Sequence, residues 1–369
     1  MTWFELENAA EVPSPNLLIF VDRVRQNLAT MCKIAGDPAR LRPHVKTHKL
    51  SPIVKMSLEL GISRFKCATL AEAEMLGQAG APDVLLAYQP VGPNVARLLR
   101  LSEAHRATRF SCLIDDEEAA LELSGAFSAA GRLLPVWLDV DVGLGRTGVA
   151  DADEAQALYA LLAELPGLFV RGLHAYDGQV QARGADERAA QADAAFSKLD
   201  ALTIELKRAG FPVDERVIGS SPSFPLHAER HAVELSPGTT VLWDQKNASQ
   251  YPDMEFLPAA LLLTRVVSKP AENRLCLDLG HKAVGSEMPQ PRAHFLGLNQ
   301  VVVHSHSEEH LVIESPLAAE IGIGATLYAV PWHICPTVAL YDRAVVARGS
   351  RATESWAVTR GRSLSGEKF

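Results

Sequence analysis

Arg42-Pro43-His44-Val45-Lys46-Thr47-His48-Lys49 is the stretch around which the rest of the chain falls into order. Ser51-Pro52 and an amphipathic run, Ile53-Val54-Lys55-Met56-Ser57-Leu58-Glu59-Leu60, come next. Serine followed by proline is a common way for a helix to begin. Lys46 is therefore expected at the end of a short strand, just ahead of a strand-to-helix loop. In an α/β barrel that is the catalytic rim, where side chains from separate strand ends converge. Arg42, His44, His48 and Lys49 lend the loop positive charge, and like charge lowers a lysine's proton affinity, freeing its amine for attack on a carbonyl. The same eight residues also suit a basic loop that is merely solvated.

Outward from this stretch, strand and helix signals alternate. Residues 17–21 read as a buried strand, followed by a helix from Asp22 to about Ala35. Strand-like runs end near Lys46 and near Cys67, and recur at 84–87, 110–114, 135–141, 169–174 and 216–219. Helical stretches at 69–79, 116–129, 151–165 and 186–209 lie between them. Alternation sustained over about 220 residues implies a parallel sheet. The expected fold is α/β, a (β/α)8 TIM-like barrel over residues 16–244, with a doubly wound open sheet as the alternative. No Gly-x-Gly-x-x-Gly follows the first strand, which counts against a dinucleotide fold. After residue 245 short strands replace long helices, so residues 245–369, joined by 1–15, are expected to form a second, C-terminal β-rich domain. The last residues, 363–369, are expected to fray.

Composition narrows the function classes. With 369 residues, 47% hydrophobic and 22% charged, the chain is long enough for a barrel plus a smaller domain. A net charge of -8 argues against a nucleic-acid partner. No run approaches the roughly 18 apolar residues of a membrane span, and the N-terminus lacks the basic and apolar regions of a signal peptide. The five cysteines, Cys32, Cys67, Cys112, Cys276 and Cys335, are widely spaced and odd in number, which argues against a disulfide framework. A cytoplasmic enzyme is expected.

Four later segments carry chemistry. Asp139-Val140-Asp141-Val142-Gly143-Leu144-Gly145-Arg146-Thr147-Gly148 ends a hydrophobic strand and turns on glycines, leaving Arg146 on a rim loop; a plain turn with a surface arginine is the alternative. In Gly172-Leu173-His174-Ala175-Tyr176-Asp177-Gly178, Tyr176 or His174 could stack on or bond to a flat heterocycle, and His174 suits a satisfied core position equally. Gly219, Ser220 and Ser221 follow a strand with small residues and hydroxyls suited to an anion, and Gly238, Thr239 and Thr240 could form the other side. His333 and Cys335, two apart on an expected strand, would share a face and could meet one ion. Imidazole plus thiolate suits zinc, although a buried cysteine beside a histidine is commonly only packing.

Together these segments resemble, in order, the D-threonine aldolase and D-serine dehydratase family of pyridoxal-phosphate enzymes, built on the alanine-racemase type of barrel. The likeness runs from Pro15 to about Asp342. It implies that Lys46 carries the cofactor, that Arg146 lies beside its phenolic oxygen, and that Tyr176 lies near its pyridine ring. It further implies Gly219, Ser220, Ser221, Gly238 and Thr239 at the phosphate. His333 and Cys335 would hold a divalent metal (Zn or Mn), with His333 and Lys46 as the catalytic pair. Asp278 and the Glu308-Glu309-His310 segment resemble acidic family segments near the site.

The implied function is a metal-dependent lyase acting on D-β-hydroxy-α-amino acids, first a D-threonine aldolase that releases glycine and an aldehyde. The alternative is a D-serine or D-3-hydroxy amino acid dehydratase giving a keto acid and ammonia. Aldolases of the family typically carry Asp at the second metal position and dehydratases Cys, so Cys335 departs from the aldolase pattern. Racemisation would leave the metal pair without a role. A non-catalytic pyridoxal-phosphate carrier would lack the second domain. The resemblance also implies a homodimer acting on a small D-amino acid.

Overall fold

The computed structural model describes residues 2–367. Strand β1 (Asn16–Phe20) comes first, followed by the helix Val21–Ala35. The next seven strands are β2 (Arg64–Cys67), β3 (Asp83–Leu86), β4 (Arg109–Ile114), β5 (Leu134–Val140), β6 (Leu168–Ala175), β7 (Glu215–Ile218) and β8 (Glu234–Leu235). They pair in sequence order, all parallel. Helices Leu70–Gln78, Glu117–Ala129, Ala152–Glu164 and Ala185–Arg208 match the expected ones to within a residue or two. Thr69, Asp116 and Asp151 cap three of them through backbone N–H groups of the first turn, the usual contribution of such residues at a helix start.

The two edges of this sheet are joined by residues 41–44. The Arg42 N–H donates to Leu235 O at 2.8 Å and the His44 N–H to Pro237 O at 2.8 Å. On the other side the Lys66 N–H donates to Pro43 O at 2.9 Å, with His44 bridged to Lys66. Pro43 has no N–H to give, so the closing strand is reduced to bridges. This corrects the expectation of a regular strand ending at Lys46, which sits instead in a 3-10 turn, Val45–Thr47.

Inward-facing residues recur every second position, and their chemistry changes with height. At the strand starts lies a buried ion network. The Arg42 guanidinium pairs with Asp83 (2.6 Å) and with Glu234, and Arg171 pairs with Asp83 (2.7 Å) and with Glu215. Arg171 is left out of the β5–β6 ladder by a register shift, which turns its side chain to this network. Gly172 follows it because a Cβ there would lie 1.9 Å from Glu215 O. Above sits an apolar layer of Leu85, Leu113, Trp137 and Val217, with the Arg42 and Arg171 guanidiniums facing the Trp137 ring at 5.4 and 4.7 Å. Above that, polar groups return. Residues 363–367, expected to fray, are tied down by Glu367 to Arg97 at 2.7 Å and by Ser365 to Glu74; Lys368 and Phe369 lie outside the described residues.

The chain divides into two compact units, residues 31–46, 54–238 and 361–367 carrying the barrel, and residues 2–30, 47–53 and 239–360 forming the other. Its strands are β1, β9 (Ala260–Ala271), β10 (Arg274–Leu277), β11 (Ala293–Phe295), β12 (Val302–His306), β13 (Leu311–Glu314), β14 (Thr326–Pro331), β15 (Arg343–Arg348) and β16 (Arg351–Ala357). Here the structure departs from the barrel start expected at residue 16. Strand β1 pairs antiparallel with β9 and parallel with β15, in the second sheet. Four successive buried apolar residues suit a strand covered on both faces in either sheet, so local pattern could not assign it. The N-terminal segment does complete this unit, since Leu6, Val12, Leu18 and Phe20 share a core with Leu261, Leu263, Tyr328 and Val330.

Arg42→Ala strands the buried carboxylates of Asp83 and Glu234, and should lower unfolding stability in urea by about 3–5 kcal/mol; a loss below about 1 kcal/mol would contradict the closing role given to this ion pair. Burial would raise the Asp83 carboxyl, but Arg42 and Arg171 hold it well below the usual range. Its contribution is present at neutral pH and should be lost as pH falls below about 4.

Candidate active site

The upper end of the barrel holds a cavity of about 270 Å³, lined among others by His44, Lys46, Lys66, Tyr88, Asp139, Arg146, His174 and Tyr176. Lys46 is half-buried, and its Nζ lies 5.7 Å from the centre of the Tyr176 ring. Arg146 is exposed, with its guanidinium 5.0 Å from the same ring. The turn that carries it is wound on Asp141, whose Oδ1 accepts the N–H groups of Gly143 and Leu144 at 2.8 Å. Gly148 closes the turn with φ +96, where an added Cβ would lie 2.7 Å from Asp141 N. Three expected residues, Lys46, Arg146 and Tyr176, thus share one cavity.

His174 is both buried and at the cavity, with Nδ1 2.6 Å from Asp139 Oδ1 and Nε2 3.4 Å from Lys66 Nζ. Burial holds its pKa down against the pull of Asp139, with Lys66 adding to the depression. Lys66 escaped the sequence reading, although a lysine inside the apolar run Phe65-Lys66-Cys67 was a signal that it faces something polar. Burial, then the charge of Lys46, push Lys66 down to about 7.

The positive surroundings expected of Lys46 need correction. Arg42 is fully buried and compensated by Asp83 and Glu234. His48 belongs to the second unit, where burial and Lys49 push it down to about 3 and its Nδ1 accepts the Leu50 N–H. The cations that share the cavity with Lys46 are Lys66 and Arg146.

Gly219, Ser220 and Ser221 form a loop beneath the start of helix Phe224–Ala228. The Ser220 N–H donates to Ser223 Oγ at 2.8 Å, and the Gly238 N–H donates to Ser221 Oγ at 3.2 Å, so both expected loops meet. Asp177, next to Tyr176, bonds to His227 of that helix at 2.7 Å and ties the tyrosine turn to the serine loop. Neither Asp177 nor His227 was picked from sequence. Gly219 has φ +110, and the loop stays small where an anion could approach the backbone. An amine, a flanking aromatic ring, a cationic wall and a loop of small hydroxyl residues fit an aldehyde-bearing aromatic phosphate.

In the second unit, His333 and Cys335 are brought together, but not by the expected strand. Strand β14 ends at Pro331, His333 caps the helix Ile334–Val338, and Cys335 lies in its first turn. Asp244, buried, holds that turn by accepting the Ile334 N–H at 3.0 Å. Burial works against a charged His333, but hydrogen bonding to Cys335 and the Glu287 carboxylate at Nδ1 raise it to about 9. Burial likewise raises the Cys335 thiol, yet its bond to His333 brings it below the ordinary value. The Cys335 Sγ also meets the hydroxyls of Thr47 at 3.3 Å and Thr239 at 3.9 Å. Thr239, expected at a phosphate, therefore sits beside the thiol in the second unit. Among the described residues no group of three or more His, Cys, Asp and Glu side chains is arranged to hold a metal. The donor pair itself, thiolate plus an imidazole oriented by a carboxylate at its other nitrogen, has the chemistry of a zinc-binding pair. Asp278 serves as a brace, accepting from Thr264, the Arg265 N–H and Ser14. Glu308 and Glu309 pair with Lys282 at the surface and His310 is exposed.

Fold and site define a class, a pyridoxal-phosphate barrel of the alanine-racemase type with an added β-rich domain. Residues 19–245 match the family model described as alanine racemase, N-terminal domain, and residues 259–347 the one described as putative serine dehydratase domain. The chain belongs to the D-threonine aldolase and D-serine dehydratase family of lyases. It is 31% identical to a D-threonine aldolase of Arthrobacter sp over 95% of this chain and 93% of that one. It is 28% identical to a D-threo-3-hydroxyaspartate dehydratase of Delftia sp. over 92% and 96%. The crystal structure of a D-threonine aldolase from Filomicrobium marinum superposes with a TM-score of 0.89 at 28% identity, covering 96% and 97%. No helix among the described residues is long and apolar enough to cross a membrane.

Asp139→Ala should cost about 1–3 kcal/mol by removing the charged partner of a buried imidazole. It should also abolish the slowly exchanging Nδ1 proton resonance of His174; persistence of that resonance would show that Asp139 does not fix the tautomer.

Proposed function

We propose that the chain is a pyridoxal-phosphate- and divalent-metal-dependent lyase that cleaves D-threonine and related D-β-hydroxy-α-amino acids to glycine and an aldehyde. The observation that carries this reading is the near full-length likeness to D-threonine aldolase at 31% identity. The barrel alone would serve a racemase as well. Bound pyridoxal phosphate supplies an electron sink for the pair released at Cα. Lys46 Nζ would anchor it, with Tyr176 against the ring and Arg146 at its oxygen. The loop of Gly219, Ser220, Ser221 and Gly238 would hold the phosphate with its serine hydroxyls as donors, since the Ser220 and Gly238 N–H groups donate to Ser223 Oγ and Ser221 Oγ.

His333 and Cys335 would hold the metal, zinc by the softness of the donors, which lends Lewis acidity to a substrate hydroxyl. Glu287 fixes the His333 ring through Nδ1 and leaves Nε2 as the ligating nitrogen. For retro-aldol cleavage the β-hydroxyl must lose its proton while the Cα–Cβ bond breaks. For elimination Lys46 Nζ must instead remove the Cα proton while the C–O bond breaks. Cys335, in place of the aspartate typical of the family's aldolases, is the specific observation that favours this second reading, a D-3-hydroxy amino acid dehydratase.

Incubation with D-threonine and D-serine in the presence of Zn²⁺ or Mn²⁺, with glycine, pyruvate and 2-oxobutyrate assayed separately, distinguishes the two. Glycine without keto acid is expected, and keto acid without glycine selects the dehydratase. Borohydride reduction of the cofactor-loaded protein should label Lys46, and Lys46→Ala should take up no label. His333→Ala should keep the cofactor absorbance yet lose the EDTA-sensitive turnover; unchanged turnover removes the metal from the mechanism.

A further inference from the structure

Lys66 lines the cavity but has no part in the reading above. It is the third residue of β2, and its amine is buried among groups from four other segments of the barrel. Lys46 and His44 face it from the closing segment and Tyr88 from beyond β3. Asp139 and Arg146 do so from β5 and its loop, and His174, Tyr176 and Asp177 from β6 and the turn after it. Arg42 adds a more remote charge.

The hydrogen bonding fixes the direction of the chain. His174 Nδ1 is 2.6 Å from the Asp139 carboxylate, so that nitrogen carries the proton and donates. Nε2 is then an acceptor, and Lys66 Nζ, 3.4 Å away, is its donor. The second Asp139 oxygen is engaged by the Thr147 hydroxyl at 3.0 Å. Lys66 is thus held by a neutral imidazole, while the Asp139 and Asp177 carboxylates act on it as charges. Its Nζ and that of Lys46 both stand 5.7 Å from the centre of the Tyr176 ring. A buried ammonium placed this way has its hydrogen bond to a neutral ring rather than to a carboxylate, and it shares the cavity with Lys46 and Arg146, whose charges repel it. An anion entering the cavity relieves both costs.

We infer that Lys66 is a cofactor-binding residue: Asp139 and His174 hold its amine in the cavity, and an anionic cofactor that enters is bound together with a proton on Lys66. The inference rests on the reading of this cavity as a pyridoxal-phosphate site. Linkage gives it a sign. Lys66 titrates near 7 in the free protein, and a bound anion favours its charged form and raises that value. Affinity is then greatest below about pH 7 and falls as pH rises beyond it, by up to about tenfold per unit.

The probe is pyridoxine 5′-phosphate, which has the ring and the phosphate but no aldehyde to react with Lys46. Its dissociation constant is measured by equilibrium dialysis between pH 6.5 and 9. The unmodified protein should weaken across this range, Lys66→Arg should bind tightly with little pH dependence, and Lys66→Met should bind about tenfold more weakly or worse at pH 6.5. Equal affinity in the Met variant overturns the inference. So does an undiminished pH slope in the Arg variant, which would assign the titration to His44 or Lys46. Lys66→Gln, which keeps a donor for His174, replaces the Met variant if that one is unfolded by circular dichroism. Calorimetry of the unmodified protein at pH 8, in buffers of different ionisation enthalpy, should show net proton uptake on binding; none, or release, has the same overturning force. Pyridoxal phosphate with borohydride is run alongside. A label on Lys46 with no effect at Lys66 sinks this inference alone, whereas no label at Lys46 sinks the reading beneath it.

Discussion

Barrel closure here depends on one guanidinium. The segment that should be the eighth strand is interrupted by Pro43 and retains only a few bridges to its neighbours. Ladder hydrogen bonds alone would fix it weakly. Arg42 compensates by reaching Asp83 on β3 and Glu234 on β8, both from the interior, where its charge is matched and its guanidinium faces the Trp137 ring. Removing charge from such a network is costly because the remaining partners stay buried. Lys46 stands four residues further on, so its position at the cavity follows from how this arginine seats the segment.

The barrel interior separates two uses of charge along its axis. At the strand starts, Arg42 and Arg171 are matched by Asp83, Glu215 and Glu234, and the network serves as mortar. Beyond the apolar layer of Leu85, Leu113, Trp137 and Val217, the balance changes. Lys46, Lys66 and Arg146 meet few carboxylates at the cavity, and Asp139 is spoken for by His174 and Thr147. Charge left unmatched at a cavity has a physical cost, and perturbed titration tends to gather where function requires it. The depressed Lys66 amine reflects that cost, and an anionic ligand is what would offset it.

Much of this was legible in sequence because parallel barrel strands, buried on both faces, read as continuous apolar runs, and because the helices between them carry capping residues. The signals that failed were those in which distant partners decide the outcome. Arg42 reads as a loop cation until Asp83 and Glu234, both far off in sequence, are brought to it. Strand β1 is as apolar as any barrel strand, and only its pairing with β9 and β15 places it elsewhere. His333 and Cys335 meet for a reason other than the expected strand, since a helix cap and a first-turn position converge as well as two alternate strand residues do. For Lys66 the local signal, a lysine within the apolar run Phe65-Lys66-Cys67, marks a polar neighbour but does not identify it, because His174 and Lys46 come from other segments.

The choice between cleaving carbon from carbon and expelling hydroxide cannot rest on Cys335 alone. If His333 and Cys335 hold a metal as proposed, a thiolate in place of a carboxylate would soften the donor set and alter the Lewis acidity offered to a hydroxyl. Both reactions draw on that acidity, so the substitution scales them together more than it separates them. What separates them is which bond to Cα is aligned with the electron sink and whether a base stands ready for the Cα proton, both matters of orientation within the site. On the proposed reading, Lys46 would be the group to remove that proton. On that reading the choice of bond would be set around Lys46, Lys66 and Tyr176 as well as at the imidazole–thiol pair.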